Sequence, residues 1–351
     1  MSSMEGFPDS CPVPLSEYPE VVMAHGGGGR LMHRLIDELM LPAFGAPESA
    51  LRHDGALIAH AGGTLAFTTD SHVVTPLFFP GGDIGSLSVY GTVNDLAVCG
   101  AIPEWLSAGF IIEEGLPMET LRAVVRSMAR AADTAGVRIV TGDTKVVERG
   151  KADGLFINTA GIGLIPEGVC SNPSRIAPGD AVLVSGDIGR HGIAVLAARE
   201  GMGLAGTVES DLAPIVGTVR GLLDAGLDIH CMRDLTRGGL AAGLHETASA
   251  SGLTVRISED RVPVREDVLG ACELLGFDPI HVANEGRFVL YVPGGLAHEA
   301  LAILRRHPGG GSASILGHVE PGSTATVIMR TLIGADRVVD LPGGEQLPRI
   351  C

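Results

Sequence analysis

The segment Pro166–Asp180, PEGVCSNPSRIAPGD, cuts the chain in two. Pro, Ser and Gly crowd it, and these residues end periodic elements and favour turns. Strand and helix patterns run on both sides, so the domain boundary is placed here. At 351 residues, two domains are the ordinary expectation. The boundaries read as a disordered leader at 1–20, a first domain at 21–165, a second at 175–331 and a tail at 332–351.

In the first domain, ALIAHAGGTLAFTTDSHVV predicts two strands joined at a Gly-Gly turn. EWLSAGFIIEEG, VRIVTGDTKVVE and LFINTAGIGLI read as further strands, and IGSLSVYGTVNDLAVCGA has helical spacing. PMETLRAVVRSMARAADTAG opens on Pro, spaces its apolar residues by three and four, and closes at Gly136, which predicts a helix. In the second domain AVLVSGDIG starts as a strand. Helices follow near 189–200, 212–225, 237–251, 264–275 and 296–306, with strands near 254–258, 286–292, 313–319 and 324–330. The fold class is therefore α+β, mixed α/β in both halves: a β-rich first domain and an α/β sandwich, not a doubly wound sheet. After residue 331 one short β-like run gives way to Pro, Gly-Gly and Pro. The last dozen residues read as a flexible extended tail, able to span roughly 40 Å and tipped by Cys351.

A net charge of −16 argues against nucleic acid as the main partner, since a phosphate backbone needs a basic face. No apolar run reaches the ~18 residues of a membrane span. The N-terminus lacks the basic start and apolar stretch of a secretory signal. Six scattered cysteines with no C-x-x-C pair fit a reduced, cytoplasmic setting better than a zinc site.

Glycine supplies 50 residues, about twice the usual ~7%, and four of them, Gly26, Gly27, Gly28 and Gly29, lead into a helical pattern. Bare backbone N–H groups there suit an anion, and a hinge is the plainer role. Acids recur beside small residues: Asp70 in FTTDSHVV, Asn94 and Asp95 in GTVNDLAVCGA, Asp143, Thr144 and Lys145 in VTGDTKVV. Turn and cap roles explain each alone; together with the glycine run they point to a metal–nucleotide site. Arg233 and Asp234 precede a second helix opening, and Glu285 lies in a turn before a strand, where a carboxylate can serve as a base.

HGGGGRLM, TTDSHVVTPLFFPGGDIG, GTVNDLAVCGA, IVTGDTKVVERGKADGLFINTAGIG, MRDLTRGGLA, ANEG and the terminal PRIC occur in that order. This set resembles the HypE family of hydrogenase maturation proteins, the carbamoyl dehydratases, over residues 21–351. That family shares a superfamily with aminoimidazole ribonucleotide synthetase and selenophosphate synthetase. Leu235 departs from it, standing where the family more often has Pro. The resemblance implies a two-domain aminoimidazole ribonucleotide synthetase-like fold whose first domain binds ATP and dimerises. It implies ATP-dependent dehydration of a carbamoyl group on Cys351 to a thiocyanate, supplying cyanide for the iron of nickel–iron hydrogenase. Lys145 and Glu285 would position and deprotonate the carbamoyl amide. Asp70, Asp95 and Asp143 would hold Mg2+ with ATP, bound also by Gly26 to Gly29, Asn94, Thr144, Arg233 and Asp234. The implied partners are the carbamoyltransferase HypF, an iron-scaffold complex of HypC and HypD, and a second copy. Another ATP-using member of the superfamily and a non-catalytic nucleotide-binding scaffold are the alternatives.

Overall fold

The computed structural model describes residues 25, 29–40, 53–60, 62–201, 208–322, 325–341 and 350–351. The leader at 1–20, Gly26 to Gly28 and tail residues 342–349 lie outside the described residues.

A six-residue helix, α1 (Arg30–Leu35), and a π-helical turn at Ile36–Met40 come first. Strands β1 (Ala56–His60) and β2 (Gly63–His72) form a hairpin, and a short ribbon, β3 (Phe78–Phe79) and β4 (Gly82–Asp83), leads into α2 (Ile84–Val98). Then come β5 (Ile102–Glu113), α3 (Met118–Ala135), β6 (Arg138–Val147) and β7 (Leu155–Ile165). The first sheet has the order β1-β2-β7-β5-β6; only the β5–β6 pair is parallel.

Side-chain alternation decides what each face of this sheet does. Ala66, Thr68 and Asp70 of β2 face α2, as contacts to Leu96, Asp95 and Thr92 show. Phe67, Thr69 and Ser71 point the other way. α2 is apolar nearly all round because it is enclosed: the first sheet covers one side, and Ala97 and Val98 enter a core of the second unit on another. Asp83 caps it, accepting from the Gly85 and Ser86 N–H groups, while the Ser86 hydroxyl is placed to accept from Asp83 N. α3 is amphipathic, packs Val124, Met128 and Ala131 inward, and stops at Gly136, whose φ of 74° suits glycine.

The second sheet has the order β14-β13-β10-β12-β8-β11-β9, built from β8 (Asp180–Val184), β9 (Cys231–Asp234), β10 (Thr254–Ser258), β11 (Phe288–Pro293), β12 (Ser314–Glu320), β13 (Val327–Arg330) and β14 (Asp336–Val339). Helices α4 (Arg190–Glu200), α5 (Val216–Asp224), α6 (Gly239–Ser251), α7 (Glu266–Leu275) and α8 (Ala297–Arg306) lie between them in the chain. Val182, Val184, Val289 and Tyr291 pack with α6 on one face; Ala181, Leu183, Leu290 and Val292 pack with α5 and α8 on the other. The central strands are buried on both faces, hence their unbroken apolar runs.

Leu235 is fully buried in that core, and its N–H donates to Arg287 O at 3.1 Å, a bond proline cannot make. The departure from the family pattern thus adds a backbone tie. Among the described residues no helix is long and apolar enough to cross a membrane.

Candidate active site

The acids meet where the two sheets adjoin through α2. Asp54 lies just before β1, Asp95 near the end of α2, and Asp234 at the end of β9. One carboxylate oxygen from each lies within 4.8 Å of the others. Thr68 donates to Asp95 Oδ2 at 2.8 Å, and Thr92 donates to Asp70 Oδ2 at 3.2 Å, one strand position from that group. Arg233 lies behind, 2.7 Å from Asp54 Oδ1 and 2.5 Å from Glu246 Oε2. Those carboxylates and Asp234 hold its guanidinium charged against burial.

Burial first, then Asp70, Asp234 and Asp54, push Asp95 well above the usual carboxylate range. Burial and Asp54 raise Asp234 in the same way. Asp54 Oδ2 is buried and accepts no hydrogen bond. Crowded oxygen-only donors with an orphaned oxygen fit a hard divalent cation such as Mg2+. Asp54, Asp95 and Asp234 would hold it, with Asp70 beside them.

Asp143 does not belong to this set within its own chain. In the sheet it lies opposite Gly109, which lies opposite Asn158, which lies opposite Ser71. That is three strand spacings from β2, about 14 Å. Ser71 also points away from α2, so Asp143 and Lys145 project from the other face. There they pair with each other, Nζ to Oδ2 at 2.8 Å, both largely exposed. Lys145 and the Thr144 N–H hold Asp143 below the usual carboxylate range. Within one chain Asp143 therefore does not join Asp70 and Asp95; the carboxylates grouped with Asp95 are Asp54 and Asp234, and Lys145 lies on the sheet face away from the seated Cys351.

Asn94 is also occupied. Its Nδ2 donates to Ala213 O at 3.0 Å and Glu285 O at 3.2 Å, while its Oδ1 accepts from Ile215 N at 2.9 Å. It ties the Glu285 turn to the 213–215 segment. Gly29 is the N-cap of α1.

Glu285 is buried, and its Oε1 lacks a hydrogen bond. Burial, then Asp234, Asp211 and Asp70, raise it well above the usual range, with Arg237 pulling against them. The end of the chain arrives beside it. Val73 N, just past β2, donates to Cys351 O at 3.0 Å. Ile350 is buried in a core shared by both units, its carbonyl 2.6 Å from His191 Nε2. Cys351 is the leading influence holding the Arg237 guanidinium charged. The tail tip is thus seated between the two units beside the acids.

Sequence reasoning missed Asp54, His191, Arg237 and Glu246. The DLTRGG run containing Arg237 was a usable signal, because a cation two residues before a helix opening suits an anion. Asp54 carried none, being an ordinary Asp-Gly before a strand.

The family model described as AIR synthase related protein, N-terminal domain, matches residues 52–165, and its C-terminal domain counterpart matches 177–330. A carbamoyl dehydratase HypE of Rhodobacter capsulatus is 50% identical over 333 residues, covering 94% of this chain and 98% of that one. The chain belongs to the HypE family. A solved HypE–HypF complex superposes with a TM-score of 0.83 at 47% identity, covering 88% of this chain and 99% of the other. A HypE in complex with ATP gives 0.80 at 46% identity, covering 95% and 100%.

Proposed function

We propose that this chain is an ATP-dependent carbamoyl dehydratase acting on its own C-terminal cysteine. The observation that carries the reading is the seating of Ile350 and Cys351 beside the acid cluster and Glu285.

The reaction converts a Cys351 thiocarboxamide and ATP into a thiocyanate, ADP and phosphate. The amide oxygen leaves with the phosphoryl group, and the nitrogen gives up both protons. Asp54, Asp95 and Asp234 would hold Mg2+, which would supply charge neutralisation for the phosphates. Arg237 sets positive charge beside the tail. Glu285, once ionised, is the base for the amide protons, and its burial makes it a stronger base than a solvated carboxylate. Asn94 fixes the carbonyl of that residue.

Lys145 and Asp143 enter from a second copy. The sheet face opposite α2 exposes Ile58, Phe67, Ile102, Ile111 and Leu164, and β6 is an open edge. Two such faces laid together bury the apolar side chains, close the edge, and carry each Lys145 off its own chain. HypF is the proposed carbamoyl donor, a HypC–HypD complex the acceptor, and the cytoplasm the setting, where a carrier thiol stays reduced.

Intact-mass spectrometry after incubation with HypF, carbamoyl phosphate and ATP tests this. The expected record is gain of one carbamoyl group, then loss of one water, both mapped to Cys351. Glu285→Gln should stop at the carbamoyl stage, slowed about 10²–10⁴-fold in the second step. An unmodified Cys351 in the wild type would remove the reading.

A further inference from the structure

His191 lies in the first turn of α4 with its Nε2 4.0 Å from Glu285 Oε1, and no step above uses it. It is fully buried, with its ring edge-on to Phe79 at 5.4 Å. Its hydrogen bonds define its tautomer. Nε2 lies 2.6 Å from the Ile350 carbonyl, which can only accept, so the proton of the neutral ring sits on Nε2. Nδ1 is then the acceptor, and the Ser210 hydroxyl, which itself accepts from Leu212 N at 3.0 Å, donates to it across 2.8 Å. The main chain is fixed too, since His191 N donates to Asp211 Oδ1 at 3.0 Å. Burial lowers the imidazole against the pull of Asp211 and Ile350, which keeps it neutral and the tautomer defined.

We propose that His191, its Nδ1 held by the Ser210 hydroxyl, is the clasp that holds the penultimate peptide of the docked tail and so positions Cys351 beside Glu285. It is a positioning residue for the reaction proposed above, and it rests on that reading only for its purpose. The anchors divide by unit: Val73 of the first holds the last residue, and His191 of the second holds the one before. A tail that must leave for a donor and an acceptor needs a grip that one rotation releases. Backbone hydrogen bonds to a neutral ring meet that need better than an ion pair in a closed core.

The readout is the alkylation rate of Cys351 by iodoacetamide on the full-length protein, resolved by peptide mapping, with exposed Cys170 as internal reference and buried Cys231 as a folding monitor. His191→Phe keeps the ring and removes the donor; Cys351 should react about 5-fold faster with Cys170 unchanged. His191→Gln restores an N–H near the Nε2 position and should return the rate to within about twofold of wild type. Ser210→Ala, a milder change, removes the donor that holds Nδ1 and should give a rise of about 2–3-fold. If the Phe variant exposes Cys231, the Ser210→Ala result decides. A wild-type rate in folded His191→Phe, a Gln variant as fast as Phe, or a wild-type rate in Ser210→Ala would each overturn the clasp. None of these readouts needs turnover. A failure of carbamoylation in the wild type therefore counts against the enzyme reading, and an unchanged alkylation rate counts against the clasp.

Discussion

Asp95 carries two opposed burdens, and a single substitution separates them. Without a cation it sits buried among Asp54, Asp70 and Asp234, which raises it well above the usual range and costs folding energy at neutral pH. With a cation the same crowding becomes affinity. Asp95→Asn removes the repulsion and leaves the Thr68 hydroxyl an oxygen to donate to. In chelator the variant should melt higher than wild type, by about 1–2 kcal/mol of stability. Added Mg2+ should raise the wild-type midpoint, by about 2.7 kcal/mol at a hundredfold excess over Kd, and leave the variant unmoved. Differential scanning calorimetry with and without Mg2+ reads both directions, and equal gains in the two proteins would remove Asp95 from the metal site. The residue was visible in the sequence as an acid among small neighbours, and its partners were not. Asp54, Asp95 and Asp234 are brought together by three separate elements, and no local pattern encodes a meeting of that kind.

At the scale of elements the sequence was far more readable. Period-two runs located β1, β2, β5, β6 and β7, and three-and-four spacing with a terminal glycine located α3. What the alternation could not say is which face α2 would cover, and that choice sends Asp70 inward and Asp143 outward. The attachment of α1 depends on a similar tertiary pairing and is sensitive to pH. His33 lies 3.1 Å from Glu246 on α6. The hydrogen bond to Glu246 raises its pKa, with Asp37 assisting and burial and Arg233 opposing. A raised histidine contributes stability that is fully present below its unfolded value of about 6.5 and is lost as pH rises through the folded value. Amides of residues 30–40 should therefore lose protection from hydrogen exchange above about pH 6.5, by roughly 3–10-fold once the chemical rate is corrected. His33→Gln should flatten that profile. Protection that instead grew with pH would show that another group governs α1.

The molecule as a whole poses the question of where Lys145 acts. Among the described residues it pairs with Asp143, on a sheet face opposite α2, whereas Glu285 and the seated tail lie on the α2 side. If catalysis needs both, geometry requires two chains. Ile111→Glu, a charge on the apolar face beside the β6 edge, should then yield a monomer by light scattering and lose dehydration while the tail still accepts a carbamoyl group. A sharper test needs no disrupted surface. Chains with Lys145→Ala and chains with Glu285→Gln should each be inactive in dehydration as pure homodimers. Unfolded together in equal amounts and refolded, half the dimers are mixed, and each mixed dimer holds one site with both residues intact. Activity should return to about a quarter of the wild-type value per chain. If Lys145 served the site of its own chain, every site in the mixture would still lack one residue and no activity would return. Recovery would therefore place the lysine and the glutamate of one working site on different chains.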